Sequence, residues 1–367
     1  MRLIFFQNMV SPHQMPYIEQ LPKMEGVDEV IVIVPEVGLD ERSLLGWDVS
    51  KWLKTEGVKI IVAPAEKEVE RLINGDDNGN QDEDTWFLFS GINAFPEVAK
   101  WFRTSLNYKV KRAVITEPPF VFDHPLWQHA IRFAMQDWRY VKYIDKIFVM
   151  GEDYLSYYRF WSRRWEVIPF MYCTDVPNDK RCFNENKDEG YRVKVLYVGS
   201  LSPRKNVGCL LRAVGLLDDE EQKRLKIGIV GNGEEYAMLA QQARKLKSEV
   251  KLYGALTMDS VPIIMQRYDV LVLPSLHDGW GAVVNEALML GLYVICSDHC
   301  GAKMLVKESC NGVTFKNNDH NDLAVKISNC IDKCEEIRMN TGKRITWSCK
   351  NISGEAVANY FLEKLKG

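Results

Sequence analysis

The chain has 367 residues, of which 46% are hydrophobic and 26% charged, with a formal net charge of −3. This is the composition of an ordinary globular protein long enough for two domains, and it carries no overall nucleic-acid-binding signature. No run of 18 apolar residues occurs, so no membrane-spanning helix is predicted. The N-terminal apolar run is too short for a signal peptide. The nine cysteines lack zinc-ligand spacing and favour reduced thiols in a cytoplasmic protein.

Charge is unevenly distributed along the chain. Residues 1–99 carry 8 Lys and Arg against 18 Asp and Glu, whereas residues 100–172 carry 12 against 7. We therefore expect a basic surface late in the first half, facing either an anionic substrate or an anionic membrane.

The first half alternates buried strands with helical patterns, which is typical of a parallel α/β sheet. Helices are predicted at 16–24 and 126–143, and strands at 3–6, 30–34, 60–63, 86–89, 113–116 and 146–150. Residues 157–165 are rich in aromatic side chains and arginine. Aromatic packing with exposed arginines is the favoured interpretation, and an amphipathic surface for a membrane or a lipid-linked acceptor is the alternative.

A charged, polar stretch poor in core residues separates this half from a second one. It is predicted to be a linker at 174–190, between an acceptor-side domain at 1–173 and a second domain at 191–346. A final segment, 347–367, is predicted to form a helix that crosses back to the first domain. Strands of the second domain are predicted at 194–198, 226–230, 250–253, 270–273, 293–296 and 313–315. Two doubly wound units of this kind bind ligands at the carboxyl ends of their strands.

Residues 271–301 carry the densest set of functional signals. They read as a buried strand, a glycine-containing loop, a short apolar helix and a second buried strand. Asp278 in the loop and Glu286 on the helix can both face a ligand that lies across the start of the helix. Gly279 and Gly281 let the backbone come close to that ligand. The alternative is an ordinary strand-to-helix loop followed by a solvated Glu286.

A second turn, after the strand at 194–198, brings cations to the same edge of the sheet. Gly199 permits a tight turn, while Arg204 and Lys205 suit a diphosphate leaving group because they stabilise its developing charge. The alternative is a solvated Lys-Arg pair. The turn at Gly231 has two of the three glycines of a dinucleotide fingerprint, so a strand-capping turn is favoured over an NAD site.

Polar side chains also follow strands elsewhere. Glu117 comes directly after a strand, His124 lies in the loop beyond it, His13 is in the first loop, and His277 lies beside Asp278. Each is a candidate for contact with substrate, and a structural role is the alternative. No Ser-His-Asp arrangement with a nucleophile elbow is present.

Taken together in this order, the motifs of the second half resemble the donor domain of GT-B retaining glycosyltransferases, specifically glycosyltransferase family 4 (glycosyl transferases group 1). The resemblance covers residues 191–366 through the G-x-L-x-x-x-K turn that begins at Gly199, the I-V-G-N-G turn, the Y-G turn at 253–254 and the P-S-x-x-D-G-W-G-x-x-x-x-E-A run. The first half is similar more loosely, through its opening strand, the loop at His13 and the turn at 150–152. The implied fold is α/β, GT-B, with two Rossmann-like doubly wound parallel-sheet domains facing across a cleft.

The resemblance implies a role for each matching residue. Glu286, the second acid of the E-x7-E pattern, would bind the donor's ribose hydroxyls; Asp278 would lie nearer the donor sugar, and Lys205 would hold the diphosphate. These three would be catalytic, together with His124 and Glu117 of the first domain. The remaining donor-binding residues would be Gly199, Ser200, Arg204, Gly231, Tyr253, Gly254, Gly279, Trp280, Gly281, Ala282 and Val283.

Three features depart from the family's pattern. The first acid is Asp278 where Glu is usual, and Ser200 stands where an arginine commonly follows Gly199. A polar loop at 8–14 takes the place of the glycine-rich N-terminal loop. These departures bear most on which nucleotide sugar serves as the donor.

The function implied is retaining transfer of a sugar from a nucleotide diphosphate donor to a glycan or lipid-linked acceptor, in cell-surface polysaccharide synthesis. A UDP-sugar is preferred to a GDP-sugar as the donor substrate, and neither a cofactor, an obligatory metal nor a nucleic-acid partner is expected. The expected location is the cytoplasm, with a peripheral contact to the inner face of the membrane through residues 100–172 as an option. The alternatives are a GT-B-like sugar-nucleotide epimerase and a non-catalytic nucleotide-sugar-binding protein.

Overall fold

The computed structural model describes residues 1–38, 50–75, 84–118, 125–174, 193–307 and 310–367. These residues form two compact units. The first contains the described residues up to Cys173 together with Gly354–Gly367, and the second contains those from Thr174 to Ser353. The predicted linker at 174–190 lies outside the described residues except for Thr174, and His124 lies outside them as well.

The first unit is built on seven parallel strands: β1 (Arg2–Phe6), β2 (Glu29–Val34), β3 (Val58–Val62), β4 (Thr85–Phe89), β5 (Lys111–Thr116), β6 (Lys146–Met150) and β7 (Glu166–Phe170). Their order in the sheet is β3-β2-β1-β4-β5-β6-β7. β1 pairs with β2 and β4, so that Ile4 lies opposite Ile31 and Phe87. The central strands are apolar along almost their whole length, as expected of a sheet covered on both faces.

Helices connect and cover these strands. The α-helices are Met15–Ile18, Glu66–Asn74, Pro96–Ser105, Leu126–Arg132, Leu155–Trp161 and Gly354–Lys366. Shorter helical segments of other types are the 3-10 segments Leu21–Lys23, Ser50–Lys54 and Trp138–Tyr143 and the π-helical segment Phe133–Asp137.

The helix Gly354–Lys366 packs into the core of the first unit, although it comes from the far end of the chain. The Phe361 ring lies 5.0 to 6.0 Å, centroid to centroid, from aromatic rings of β1, β6, β7 and the helix Met15–Ile18. The Lys146 ammonium donates to the carbonyl of Lys364 at 2.6 Å, and the Tyr360 hydroxyl donates to the carbonyl of Pro169 at 2.9 Å. These contacts make the helix part of the hydrophobic core of that unit.

The second unit is built on six parallel strands: β8 (Val193–Val198), β9 (Leu225–Val230), β10 (Glu249–Gly254), β11 (Val270–Leu273), β12 (Tyr293–Ser297) and β13 (Gly312–Phe315). Their order is β10-β9-β8-β11-β12-β13, which is the doubly wound order of a Rossmann fold. The α-helices are Val207–Gly215, Asp219–Lys223, Tyr236–Ala243, Ser260–Met265, Val283–Met289, His320–Asp332, Cys334–Met339 and Thr341–Asn351, and 3-10 segments occur at Pro203–Lys205 and Gly301–Val306.

The predicted class, with two doubly wound parallel sheets, is confirmed, and three elements differ from the prediction. The helix predicted at 16–24 is instead the α-helix Met15–Ile18 followed by the 3-10 segment Leu21–Lys23. β7 was not predicted, and its short apolar run contains a proline, which is unusual in a strand. Pro169 is tolerated there since β7 lies at the edge of the sheet, where no neighbour needs its missing N–H. The single helix predicted at 126–143 is instead three consecutive segments: α-helical, π-helical and 3-10.

Among the described residues, no helix is both long enough and apolar enough to cross a bilayer.

Candidate functional site

The candidate site of the second unit lies where the order of its sheet reverses. β8 and β11 are neighbours, but the chain continues from them toward opposite edges of the sheet. In doubly wound sheets the loops that leave such a pair of strands diverge and open a crevice at the carboxyl edge. One of these loops carries Lys205 and the other carries Asp278.

Lys205 and Asp278 are in direct contact. The Lys205 ammonium lies 2.5 Å from Oδ2 of Asp278, and only 16% and 11% of the two side chains are exposed. The Ser275 hydroxyl donates to the same carboxylate oxygen at 3.4 Å. The Arg204 guanidinium donates to the carbonyl of His277 at 2.9 Å, which ties the two loops together a second time. The two predicted motifs, 73 residues apart in sequence, thus form one charged site.

The segment after β12 fixes the backbone of Asp278. The Asp278 N–H donates to the carbonyl of His299 at 3.2 Å, and the Gly301 N–H donates to the carbonyl of Asp278 at 3.0 Å. Asn317 braces this segment, since its side-chain amide contacts Nδ1 of His299 at 2.7 Å. Neither His299 nor Asn317 was among the residues predicted from sequence. His299 carried the same signal as the residues that were selected, because it comes after the carboxyl end of a strand.

The loop after Asp278 requires glycine at position 281. Gly281 has φ +91°, and a Cβ there would lie 2.8 Å from both the Cys300 sulfur and a Leu273 methyl group. Trp280 is 2% exposed, and its indole N–H donates to the Asn285 side chain at 2.7 Å. The indole of Trp280, expected among the donor-binding residues, therefore lies in the core and holds the loop against the next helix.

Glu286 lies in the first turn of the helix Val283–Met289. Its side chain is partly exposed, and within the described part of the chain no hydrogen bond or ion pair engages its carboxylate. Burial raises the pKa of Glu286 from its ordinary 4.5 to about 7. A desolvated carboxyl group without a protein partner is a candidate for binding a ligand.

The turns after β8, β9 and β10 lie side by side, in the order of their strands. Gly231 has φ +139°, and a Cβ there would lie 1.8 Å from the carbonyl oxygen of Gly199. The Gly231 N–H donates to the carbonyl of Gly254 at 2.8 Å. The Ser200 carbonyl accepts the hydroxyl of Tyr197 at 2.8 Å. The backbones of the turns after β8 and β9 are therefore in close contact. Gly231 lies in a turn that caps its strand, as favoured from sequence.

The predicted donor-binding residues lie at the ends of β9 and β10, on the loops after β8 and β11, and on the helix that begins at Val283. The Tyr253 hydroxyl contacts that of Tyr268 at 3.0 Å, so this phenol already has a partner. Gly231 directly follows β9, and Tyr253 and Gly254 are the last two residues of β10. The loops after β8 and β11, with the helix that begins at Val283, carry Gly199, Ser200, Arg204, Lys205, Asp278, Gly279, Trp280, Gly281, Ala282, Val283 and Glu286.

The first unit has a polar cluster of its own at the carboxyl edge of its sheet. The Tyr172 hydroxyl donates to the Glu117 carboxylate at 2.8 Å. The His13 ring lies 6.1 Å from the Tyr172 ring, and the His13 carbonyl accepts the N–H of Cys173 at 3.0 Å. Glu117 and His13 were predicted from their positions after strands, whereas Tyr172 was not selected as a site residue because β7 was not predicted.

Solved structures share the fold of this chain. The structure of Anabaena HepE in complex with UDP superposes with a TM-score of 0.72 at 15% identity, over the whole of both chains. The predicted GT-B fold of glycosyltransferases is confirmed by this likeness and by the two doubly wound sheets.

A family model matches most of the second half in sequence. Residues 178–346 match the model of the family "Glycosyl transferases group 1", which confirms the predicted resemblance of the second half to glycosyl transferases group 1.

Curated relatives agree with this assignment. An α-1,4-N-acetyl-D-galactosaminyltransferase of Campylobacter jejuni, named for a diNAcBac-PP-undecaprenol glycan, is 25% identical over 223 residues, 59% of each chain. The O-antigen chain mannosyltransferase B of Escherichia coli is 27% identical over 183 residues, 47% of this chain and 46% of the relative. The chain thus spans about half the length of the curated relatives it matches.

Proposed function

We propose that the protein is a retaining glycosyltransferase that moves a sugar from a nucleotide diphosphate sugar to a glycan or lipid-linked acceptor. The observation that carries the proposal is the contact between Lys205 and Asp278 on the two loops that leave β8 and β11. A cation beside a carboxylate, with the desolvated carboxyl of Glu286 on the next helix, suits a ligand that combines a diphosphate with sugar hydroxyls.

Each of these residues has a distinct task in the proposed reaction. Lys205, with Arg204 beside it, stabilises the negative charge that develops on the diphosphate as the bond from the anomeric carbon to the phosphate oxygen breaks. Glu286 accepts hydrogen bonds from the ribose hydroxyls, and Asp278 lies toward the donor sugar. The turn at Tyr253 and Gly254 borders the base. These positions are those implied by the resemblance to family 4.

Retention of configuration places the acceptor on the face that the phosphate leaves. A bond forms between the acceptor oxygen and the anomeric carbon, and the acceptor's proton passes to the leaving phosphate. We assign the acceptor to the first unit, where Glu117 and Tyr172 form a hydrogen-bonded pair beside His13. Glu117, and His124 from the loop after it, are the proposed catalytic contributions of that unit.

The relatives support the substrate classes. HepE is a fold relative that was solved with UDP, which favours a UDP-sugar as the donor. The Campylobacter jejuni relative is named for a glycan on PP-undecaprenol and the Escherichia coli relative for the O-antigen chain, which favours an acceptor from cell-surface polysaccharide synthesis. Residues 191–346 would then be the donor-binding domain and residues 1–173 the acceptor-side domain.

The test is incubation of the protein with UDP-sugars and GDP-sugars, with and without glycan and polyprenyl-diphosphate-linked acceptors. We expect nucleotide release that depends on the acceptor, and a product with the donor's anomeric configuration by NMR. Asp278→Asn and Glu286→Gln should each lower turnover by at least about tenfold, as expected when a positioned polar group is lost. Glu335→Gln, at a carboxylate whose side chain is 79% exposed, is the matched control.

Other outcomes separate the alternatives. Interconversion of two donor sugars without an acceptor would identify an epimerase. Nucleotide-sugar binding without release of nucleotide would identify a binding protein. Full turnover by both Asp278→Asn and Glu286→Gln would show that the assigned site is wrong.

A further inference from the structure

Large exposed apolar side chains are concentrated in one stretch of the first unit. Of the fourteen large hydrophobic residues exposed among those described, five lie between positions 127 and 160. Their exposed fractions are 61% for Trp127, 51% for Ile131, 75% for Met135, 65% for Trp138 and 79% for Phe160. The first three are spaced four residues apart, which places them along one face of consecutive helical segments.

Packing on the opposite side of these helices holds the exposed residues outward. Phe133 is buried, and its ring stacks on Trp161 with 4.5 Å between centroids. Trp165 is also buried, and its indole N–H donates to the carbonyl of Val141 at 3.0 Å. The aromatic residues Trp161 and Trp165 of the run at 157–165 therefore pack inward. Of that run, Phe160 is exposed, and its ring lies 5.1 Å from that of Trp161, which stacks on Phe133 of the helical segments that carry the other exposed apolar residues.

Cations border the same surface. Arg139 and Lys142 are exposed beside Trp138, each lying over a tyrosine ring at 4.8 Å, and Arg163 and Arg164 are exposed after Phe160. In the described part of the chain, none of these four cations forms an ion pair with a carboxylate. Exposed tryptophan and methionine next to unneutralised arginine and lysine is the combination found at the interface between lipid headgroups and acyl chains.

We propose that this apolar-basic surface, formed by Trp127, Ile131, Met135, Trp138 and Phe160 with Arg139, Lys142, Arg163 and Arg164, docks on an anionic lipid bilayer. The apolar side chains enter the boundary of headgroups and acyl chains, while the cations meet lipid phosphates. Charge complementarity selects lipid over a second copy of the chain, because a second copy would bring the same four cations to the contact. The proposal goes beyond the transferase function and does not depend on it.

The experiment is co-sedimentation of the full chain with two kinds of vesicle, in the absence of nucleotide sugar. One kind is phosphatidylcholine alone, and the other contains phosphatidylglycerol as well. We expect binding to the anionic vesicles that weakens as salt is added. The double variant Met135→Ser, Trp138→Ser should lower the partition coefficient at least about tenfold, because it removes two of the five apolar side chains available for insertion.

Matched variants separate the surface from general effects. Met339→Ser changes a methionine that is 76% exposed in the second unit, against 75% for Met135, and should leave binding unchanged. Arg163→Gln with Arg164→Gln should reduce binding to anionic vesicles by about fivefold per cation. Phe160→Ser removes the exposed apolar side chain on the helix Leu155–Trp161 and should also weaken binding. The thermal midpoint of every variant should match that of the wild type, because the replaced side chains are exposed.

Three results would overturn the proposal. The first is equal binding by the Met135→Ser, Trp138→Ser variant and the Met339→Ser variant. The second is equal affinity for neutral and anionic vesicles. The third is a dimer in light scattering that the double variant converts to a monomer, without binding to either vesicle, which would identify a second copy as the occupant. Because no step of this assay uses the transferase reaction, loss of transferase activity would leave the result intact.

Discussion

Replacing Glu286 by glutamine keeps the size of the side chain and removes its titrating proton. Burial raises the pKa of Glu286 from 4.5 to about 7 in the folded protein. Below about pH 4.5 both the folded and the unfolded chain hold this proton, whereas between about pH 4.5 and 7 the unfolded chain alone releases it. The stability present at low pH is therefore lost as the pH rises through 7. At about 1.4 kcal/mol per pH unit, the loss amounts to about 3 kcal/mol.

Urea unfolding of the wild type and of Glu286→Gln, measured between about pH 4.5 and pH 8, isolates this contribution because other titrating groups cancel in the difference. We expect the two proteins to be closely matched at the lower pH and the variant to be more stable by about 3 kcal/mol at the higher pH. Glu335→Gln, at a carboxylate whose side chain is 79% exposed, is the matched control for removal of a negative charge. A constant difference between wild type and Glu286→Gln across the range would refute the desolvation argument.

The same titration has a consequence for donor binding. If the ionised Glu286 accepts the ribose hydroxyls, the affinity of the wild type for UDP should rise as the pH passes through about 7. Glu286→Gln should bind more weakly and lack this dependence on pH. Isothermal titration calorimetry at several pH values measures both, and a pH-independent affinity in the wild type would argue against ribose binding by this carboxylate.

Further substitutions test the loops around the site. Lys205→Met should lower the free energy of unfolding by about 3 kcal/mol, because it leaves a buried carboxylate unpaired. Adding Asp278→Asn should recover most of that stability but no UDP release, and equal stability of the single and double variants would contradict the pairing. Asn285→Ala should lower the free energy of unfolding by about 1–3 kcal/mol, because the buried indole N–H of Trp280 loses its acceptor. An unchanged thermal midpoint would contradict this role of Asn285. Gly231→Ala should be far more destabilising than Gly254→Ala, since both have positive φ but only at 231 would the Cβ meet backbone atoms; thermal unfolding in the opposite order would refute this.

The charged site was predictable because each of its members comes after a strand. Strands alternating with helices imply a parallel sheet, and in a parallel sheet the loops that leave the carboxyl ends of the strands lie at one edge. Lys205 and Asp278 could thus be assigned to a common site from sequence, although their direct contact depends on β8 and β11 being neighbours. The order of strands in the sheet is a long-range property that local periodicity does not carry.

Other features depended on packing between segments that sequence patterns treat separately. The support that His299 and Asn317 give to Asp278 arises from loop packing around β12 and β13. The apolar-basic surface could not be located by periodicity, because the helical pattern at 126–143 has apolar residues on more than one side. Which side is buried is decided by Trp161 and Trp165, which pack against it from a later part of the chain.

The position of Gly354–Lys366 in the core of the first unit also affects how the protein is made. Phe361 lies among rings of β1, β6 and β7, all of which leave the ribosome well before it. The second unit is contiguous in sequence from Thr174 to Ser353 among the described residues, so its strands are all available while the first unit still lacks a core helix. During synthesis the unit translated first is therefore the last to be completed, and its exposed aromatic surface is the part of the nascent chain most in need of protection from aggregation.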